Sequence, residues 1–300
     1  MATTPCRYRV RRMELALFDS PSIVDHAVAN AQAAKEAGLS RYWAPQVMNA
    51  DTMVVLGVVA SQVSDIGLGT SVMAMQTMMP QTMAQQARTV SQISGGRFTL
   101  GIGVNHEPVV TGMWGLPWDK PYSRFVEYLD ALIPLINDQQ VSVSGQWTTQ
   151  RSQISVPGDA PDLMLAALGP KMLKLAGERA SGTITWMTGP NTIRDHIRPN
   201  LGDGSIVAGV SAVVTDDVES SRAFINKALA IYPTLPSYRA VMDREGAEEP
   251  ADLALIGSAE QIVDGLGRYA EAGTTEVAIS RVGNDAQNEA TLEAVRGLKI

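Results

Sequence analysis

Eight short apolar runs alternate with segments of helical period, glycine or proline stands at nearly every junction, and no GxGxxG opens a helix after the first run. These observations predict an α/β chain closed as a (β/α)8 TIM barrel, with a doubly wound sheet ranked second. The 300 residues, 45% of them hydrophobic, supply enough apolar material for a large core. The barrel reading treats residues 1–12 as an N-terminal tail and 13–300 as the barrel domain. Insertions are expected after the fourth strand and around the seventh, at about 105–121 and 141–156.

In order along the chain, Glu14–Phe18 reads as a short apolar strand, followed by the turn Asp19-Ser20-Pro21-Ser22 with its helix-start residues. Val24, Ala27, Val28, Ala31 and Ala34 repeat at helical spacing over Ile23–Ala37, and Gly38 ends that helix. Arg41–Ala44 is the second strand, turned at its exit by Pro45. Thr52–Val63 is a nearly all-apolar helix and is expected to be covered. Ile66–Val72 is the third strand, with Gly67 and Gly69 marking a bulge or a close approach. Gln81–Ile93 is the third helix, stopped by Gly95-Gly96. In the fourth strand Phe98, Leu100 and Ile102 alternate with Thr99, Gly101 and Gly103. The last two glycines suit either a tightly packed corner or the approach of a planar ligand or a neighbouring backbone.

Asn105–Pro121 holds two tryptophans, three prolines and two glycines, too much for an ordinary connection, and reads as a functional loop above the barrel. Tyr122–Ile136 is helical, and Val141–Val156 alternates as a hairpin around Ser144-Gly145. Leu163–Ala167, Gly182–Trp186, Ile206–Val214 and Glu276–Arg281 complete the eight strands. Pro170–Ala180 and Ala286–Leu298 are helices. Two or three more, broken by prolines 233, 236 and 250, fill Val218–Ala272.

The net charge of −7 argues against nucleic acid and against nonspecific attraction to membranes, and no apolar run approaches the length of a membrane span. Cys6 is the single cysteine, so no internal disulfide can form. The expected location is cytoplasmic and the expected partner a small organic substrate. Three histidines without HxH or HExxH, and no carboxylate cluster of ligand spacing, disfavour a metal-dependent hydrolase. The absence of GxSxG removes support for serine hydrolysis.

A barrel's site lies at the C-terminal ends of its strands. Those positions hold Gln46, Ser71 to Met75 (including Val72 and Met73), Asn105 to Glu107, Ala167 to Lys171, Trp186 to Thr188 (including Met187) and Arg281. The set is apolar and rich in methionine and aromatic residues, which suits a flat organic cofactor better than a metal. Ala167-Leu168-Gly169-Pro170-Lys171 ends a strand in glycine and opens a helix on proline. The free N–H groups of such a helix start, with Lys171 beside them, make a phosphate cradle. Trp43 and Trp147 read as packing, whereas Trp186 stands at a strand exit. His106 is the histidine at a strand exit on the active face, and it is the candidate proton donor.

The segment Gln92–Gly103, QISGGRFTLGIG, closely resembles the fourth strand of the bacterial-luciferase-like flavin and deazaflavin oxidoreductases. GLSRYWAPQ (38–46) resembles that family's second-strand exit, GTSV (69–72) its third, and AALGPKMLKLAGERASGTITWMTGP (166–190) its fifth and sixth units. YPTLPSYRAVMDREG (232–246) and PADLALIGSAEQIVDGL (250–266) resemble its coenzyme F420-dependent branch. The resemblance implies a TIM barrel, usually a homodimer, holding a flavin or 5-deazaflavin at the strand C-termini. It implies a bulge in the third strand with a non-proline cis peptide at Ser71-Val72 behind the cofactor ring. It also matches Ala167, Leu168, Gly169 and Pro170 to the phosphate-contacting turn. Gln46-Val47 departs from the Asp-His that some deazaflavin enzymes carry, and His106 stands where some carry a glutamate donor. The function this implies is an F420-dependent oxidoreductase delivering hydride to an electron-poor C=C, C=N or C=O. The alternatives are an FMN-dependent monooxygenase of the same fold and a cofactor-binding barrel without catalysis.

Overall fold

The computed structural model describes residues 12–300. The expected tail, almost all of it, and Cys6 lie outside the described residues. In chain order the strands are β1 (Glu14–Phe18), β2 (Arg41–Ala44), β3 (Gly67–Thr70) with its two-residue continuation β4 (Met73–Ala74), and β5 (Phe98–Gly103). Then come β6 (Val141–Ser144), β7 (Thr149–Ser152), β8 (Asp162–Ala166), β9 (Gly182–Trp186), β10 (Ser205–Val214), β11 (Leu255–Gly257) and β12 (Glu276–Arg281). β1, β2, β3, β5, β8, β9, β10 and β12 pair in parallel in that order, and β12 returns to β1, so the sheet closes on itself. This is the predicted (β/α)8 barrel, with helices packed around it.

The expected strands fall where the pattern placed them, and three differences have local causes. The third strand is broken rather than continuous: β3 stops at Thr70, the Ser71-Val72 peptide is cis, and the chain resumes pairing with β5 at Met73. The helix after it runs Pro80–Ser94. Proline opens it without losing a bond, and Gly95 closes it in the left-handed region at φ 66°. In the stretch read only as broken helices, Leu255–Gly257 pairs instead with Ala212–Val214 at the overlong end of β10. The β6–β7 hairpin stands apart from the barrel. Glu127 pins its turn by accepting from the backbone N–H groups of Gln146, Trp147 and Thr148.

Two cores hold the barrel. The outer one lies between strands and helices and includes Leu17, Leu68, Leu100, Leu165 and Ile279. The inner one fills the barrel with Ala16, Trp43, Met164, Ile184, Val207 and Ala278. Trp43 fits inside because its register partner Gly69 has no side chain: a Cβ there would lie 2.2 Å from the indole. Gly101 resolves the same way, since a Cβ would meet the Thr70 carbonyl at 2.0 Å and Ile184 at 2.5 Å. Both Gly101 and Gly103, whose Cβ would lie 2.9 Å from Ala166, therefore serve close packing within the barrel.

The N-terminal end of the barrel is closed by polar groups. Glu276, 8% exposed, accepts from the Trp43 indole N–H and from Arg41 Nε at 3.5 Å. Arg41 Nη1 donates to Thr99 Oγ1 at 2.9 Å, and its guanidinium lies 5.1 Å from the Trp43 ring. Chemistry is therefore left to the opposite end.

Candidate active site at the strand C-termini

Two side-chain-bearing residues at strand exits adopt left-handed backbone, Asn105 at φ 55° and Met187 at φ 52°. Asparagine tolerates this region, and its Oδ1 accepts from the His106 N–H at 2.7 Å, which turns the chain back over the barrel. Met187 lacks such a local bond. Its conformation is held by its N–H donating to Gly209 O at 3.1 Å and by burial of its side chain. Such conformations persist only where the surroundings impose them, and they concentrate at functional sites.

Phe18 and Trp186 make an aromatic floor, their rings stacked 5.0 Å apart at 26°. Trp186 Nε1 is buried beside the Tyr232 hydroxyl, its polar neighbour from the segment after β10. Above the loop that follows β5, His106 packs edge-on against Tyr238 at 5.6 Å and Tyr232 at 6.3 Å, and the two tyrosines lie 4.6 Å apart. They come from the turn Tyr232–Thr234 and the helix Pro236–Glu245, which follow β10 in the chain. The sequence reading gave neither tyrosine a role; the available signal was a pair of tyrosines flanking a proline-broken turn. Burial pushes the His106 pKa below its ordinary value, so the imidazole is neutral at neutral pH. Burial likewise raises the Tyr238 and Tyr232 hydroxyls, keeping both phenols protonated.

At the exit of β8, Gly169 is the N-cap of the helix Pro170–Arg179 and no side chain caps it. Its φ of −86° is open to any residue, and a Cβ there would meet nothing within 4 Å. The glycine thus leaves open space before the unpaired N–H groups of the first turn, with Lys171 exposed beside them. Ala167 is buried and Leu168 half-buried. His196 reaches back with Nε2 2.8 Å from Leu168 O and braces this turn.

The remaining candidates have mixed surroundings. Gln46 Oε1 accepts from Ala74 N–H at 2.8 Å and its Nε2 donates to Thr77 Oγ1 at 3.2 Å, so its side chain ties down the segment after the cis peptide. Ser71 N–H donates to Ala44 O at 2.9 Å, and Val72 packs against the inner core. Met73 is fully buried in the outer core, which leaves its backbone to face any ligand. Arg281 Nη2 donates to Asn30 Oδ1 on the first helix at 3.0 Å, and Asn30 in turn donates to Asp19. A cavity of about 400 Å³ lies beside this region, between residues 75–80 and the loop 116–121.

An apolar floor and an uncapped helix start facing open space fit a flat cofactor carrying a phosphate. Among the described residues no cluster of histidine, cysteine or carboxylate side chains could hold a metal ion, and no helix is long and apolar enough to cross a membrane.

Known proteins agree with this geometry. A family model described as luciferase-like monooxygenase matches residues 14–276. A protein of Mycobacterium tuberculosis named putative coenzyme F420-dependent oxidoreductase is 27% identical over 291 residues, covering 87% of this chain and 81% of that protein. The coenzyme F420-dependent tetrahydromethanopterin reductase of Methanopyrus kandleri superposes with a TM-score of 0.78 at 19% identity, over 94% of this chain and 97% of that one. The oxygenating constituent of 3,6-diketocamphane monooxygenase from Pseudomonas putida, solved with FMN, superposes with a TM-score of 0.75 at 15% identity, over 95% and 97%. By the extent of the family match, the chain belongs to the luciferase-like monooxygenase family.

Proposed function

We propose that the protein is a coenzyme F420-dependent oxidoreductase that delivers hydride to an electron-poor C=C, C=N or C=O of a small organic substrate. The observation that carries this reading is the uncapped helix start Gly169–Lys171, open to a ligand, at the same end of the barrel as the Phe18–Trp186 stack. Relatives named as F420-dependent support it over the other cofactors of the family.

When bound, the reduced deazaflavin supplies the hydride. The protein's own residues do the rest. The free backbone N–H groups of the Ala167–Lys171 turn and the Lys171 ammonium would hold the cofactor's phosphate, and Gln46, Ser71, Val72 and Met73 would form part of the wall for its ring system. Phe18, Trp186 and Met187 would give it an apolar surface, and Tyr232 and Tyr238 would exclude water. In its protonated form, a minority at neutral pH and a stronger acid for its burial, His106 would release a proton to the substrate atom that gains negative charge. The barrier is lowered mainly by orientation in a dry site, with one acid group completing the reaction.

An FMN-dependent monooxygenase is the second reading, favoured by the family description and by the FMN-bound relative. Equilibrium titration of the purified protein with F420 and with FMN separates the two, and single-turnover oxidation of bound F420H2 by an acceptor tests catalysis. Tight FMN binding without F420 binding would overturn the first reading. We also propose a cytoplasmic homodimer. The helix Thr52–Gln62 carries no charged residue and the helix Pro80–Ser94 carries only Arg88, which is buried. Val54 and Ile93 are 62% and 45% exposed on this uncharged surface.

A further inference from the structure

The cavity of about 400 Å³ beside the mouth is built from pieces that the proposed hydride transfer does not use. Met75, Met78, Met79, Leu116, Trp118 and Trp147 give it apolar walls that can adapt in shape. Its size is that of a small-molecule site. Two observations show what polar groups a ligand there must carry.

The first is Gln76, which lines the cavity. Its Nε2 donates to Val104 O at 2.6 Å, and this fixes the amide orientation, because the flipped form would set oxygen against oxygen. The opposite atom, Oε1, is buried with no donor. A buried acceptor left unmet costs about 1–3 kcal/mol, and because Oε1 is closed off even from water, a small shift of the Gln76 side chain toward the cavity is what lets an N–H or O–H of a ligand meet it. The second is Arg124. Its Nε and Nη2 are taken by Asp119, the backbone O at 2.9 Å and the carboxylate at 2.6 Å, while Nη1 has no partner among the described residues. The guanidinium is held over Trp147, 5.4 Å from the ring, with Lys120 over the same ring at 5.8 Å. The helices Pro80–Ser94 and Pro121–Ile136 both begin at this cavity without side-chain caps, adding positive potential at its edge.

We propose that this cavity is a binding site for a flat, apolar organic acid that carries one hydrogen-bond donor. Its ring system lies against the methionine and tryptophan walls, its donor meets Gln76 Oε1, and its anionic group meets Arg124 Nη1. The site rests on the cavity alone and holds whichever cofactor the barrel takes.

The probe is 1-anilinonaphthalene-8-sulfonate, which has the aryl body, one N–H and one anion, compared with N-phenyl-1-naphthylamine, which lacks only the anion. Fluorescence titration of the wild-type protein is expected to give, beside any binding at the open barrel mouth, one saturable component per chain that prefers the sulfonate and that Gly169→Val leaves in place. Leu116→Trp and Met79→Trp fill the cavity from rim positions that are 38% and 60% exposed, and each is expected to weaken sulfonate binding by about tenfold or more. Arg124→Gln is expected to abolish the preference for the sulfonate while leaving the neutral probe unaffected. Thermal melting of each variant confirms that the fold is retained. Wild-type affinity in both filled variants, or the absence of any saturable component that they weaken, overturns the site. Equal affinity of the wild-type protein for the two probes overturns the role of Arg124. No arm uses cofactor or turnover, so a failure of the F420 reading leaves the result standing.

Discussion

The imidazole of His106 meets the phenol ring of Tyr238 edge-on, with centroids 5.6 Å apart and planes at 66°. One ring comes from the loop after β5, the other from a helix that follows β10. The contact is part of the burial that takes water from the imidazole and lowers its pKa. A histidine with a lowered pKa is a stronger acid when protonated and is less often protonated at neutral pH. If it supplies the proton that completes reduction, single-turnover oxidation of F420H2 slows as pH rises through a midpoint below 6.5. His106→Gln keeps polarity and bulk but cannot titrate. It is expected to slow the step by about 10²-fold or more and to flatten the pH profile, with F420 affinity little changed. A wild-type rate and profile in that variant would mean the residue is structural.

The same lowered pKa makes a statement about stability. The folded state binds this proton more weakly than the unfolded chain. Stability should therefore fall as pH drops from the ordinary histidine value towards the folded one, and no further below it. Urea denaturation of wild type and His106→Gln across pH 5–7.5 checks this. The wild type should lose more stability than the variant over the acid half of that range.

Gly69 and Trp43 form a matched pair inside the barrel, and the pair predicts a specific non-additivity. Gly69→Ala places a Cβ 2.2 Å from the indole and is expected to destabilise by about 1–3 kcal/mol in urea unfolding. In a Trp43→Leu background the same change should cost much less, because the ring it strikes is gone. Equal costs in the two backgrounds would show that Gly69 is needed for some reason other than the indole.

How far the sequence carried the fold follows from the kind of signal each part left. Strand period and glycine–proline punctuation are local, so the eight barrel strands were legible nearly to the residue. So was the helix start at Gly169–Lys171, because Gly169, Pro170 and Lys171 are adjacent in the chain. Trp43 read correctly as packing. The Tyr232–Tyr238 cover was not legible, because it depends on where a proline-broken segment comes to rest after β10. Nor was the roof-to-wall cavity at Gln76 and Arg124, whose members lie 48 positions apart and meet only through tertiary packing. The glycines of β5 left two readings open, and only the distances from Gly101 to Thr70 and Ile184 decide for packing.

The uncharged outer surface of the helices Thr52–Gln62 and Pro80–Ser94 predicts the oligomeric state. Val54→Glu puts a charge at a position already 62% exposed, where a monomer would accept it at little cost. The expected outcome by light scattering is a dimer in the wild type and a monomer, or a dimer that dissociates on dilution, in the variant. A Val54→Glu protein as tightly dimeric as the wild type would place the interface elsewhere.

Gly169 gives the sharpest test of the cofactor site, because the protein itself does not require a glycine there. Its φ of −86° and ψ of 150° are ordinary extended values, well suited to a β-branched residue, and a Cβ would enter empty space. Gly169→Val should therefore leave folding unchanged or slightly improved, since valine loses less backbone freedom than glycine on folding. A phosphate held on the first-turn N–H groups must approach through the space that the isopropyl group would fill. F420 affinity is expected to fall by about tenfold or more, while Gly169→Ala should show a smaller loss. Lys171→Met tests the same site through charge: it should weaken binding moderately and reduce its salt dependence, because one of the groups attracting the phosphate is removed. Fluorescence titration of F420 at two ionic strengths, with thermal melts alongside, measures all three variants. Wild-type F420 affinity in a folded Gly169→Val protein would move the phosphate away from this helix start, and with it the orientation of the cofactor in the barrel.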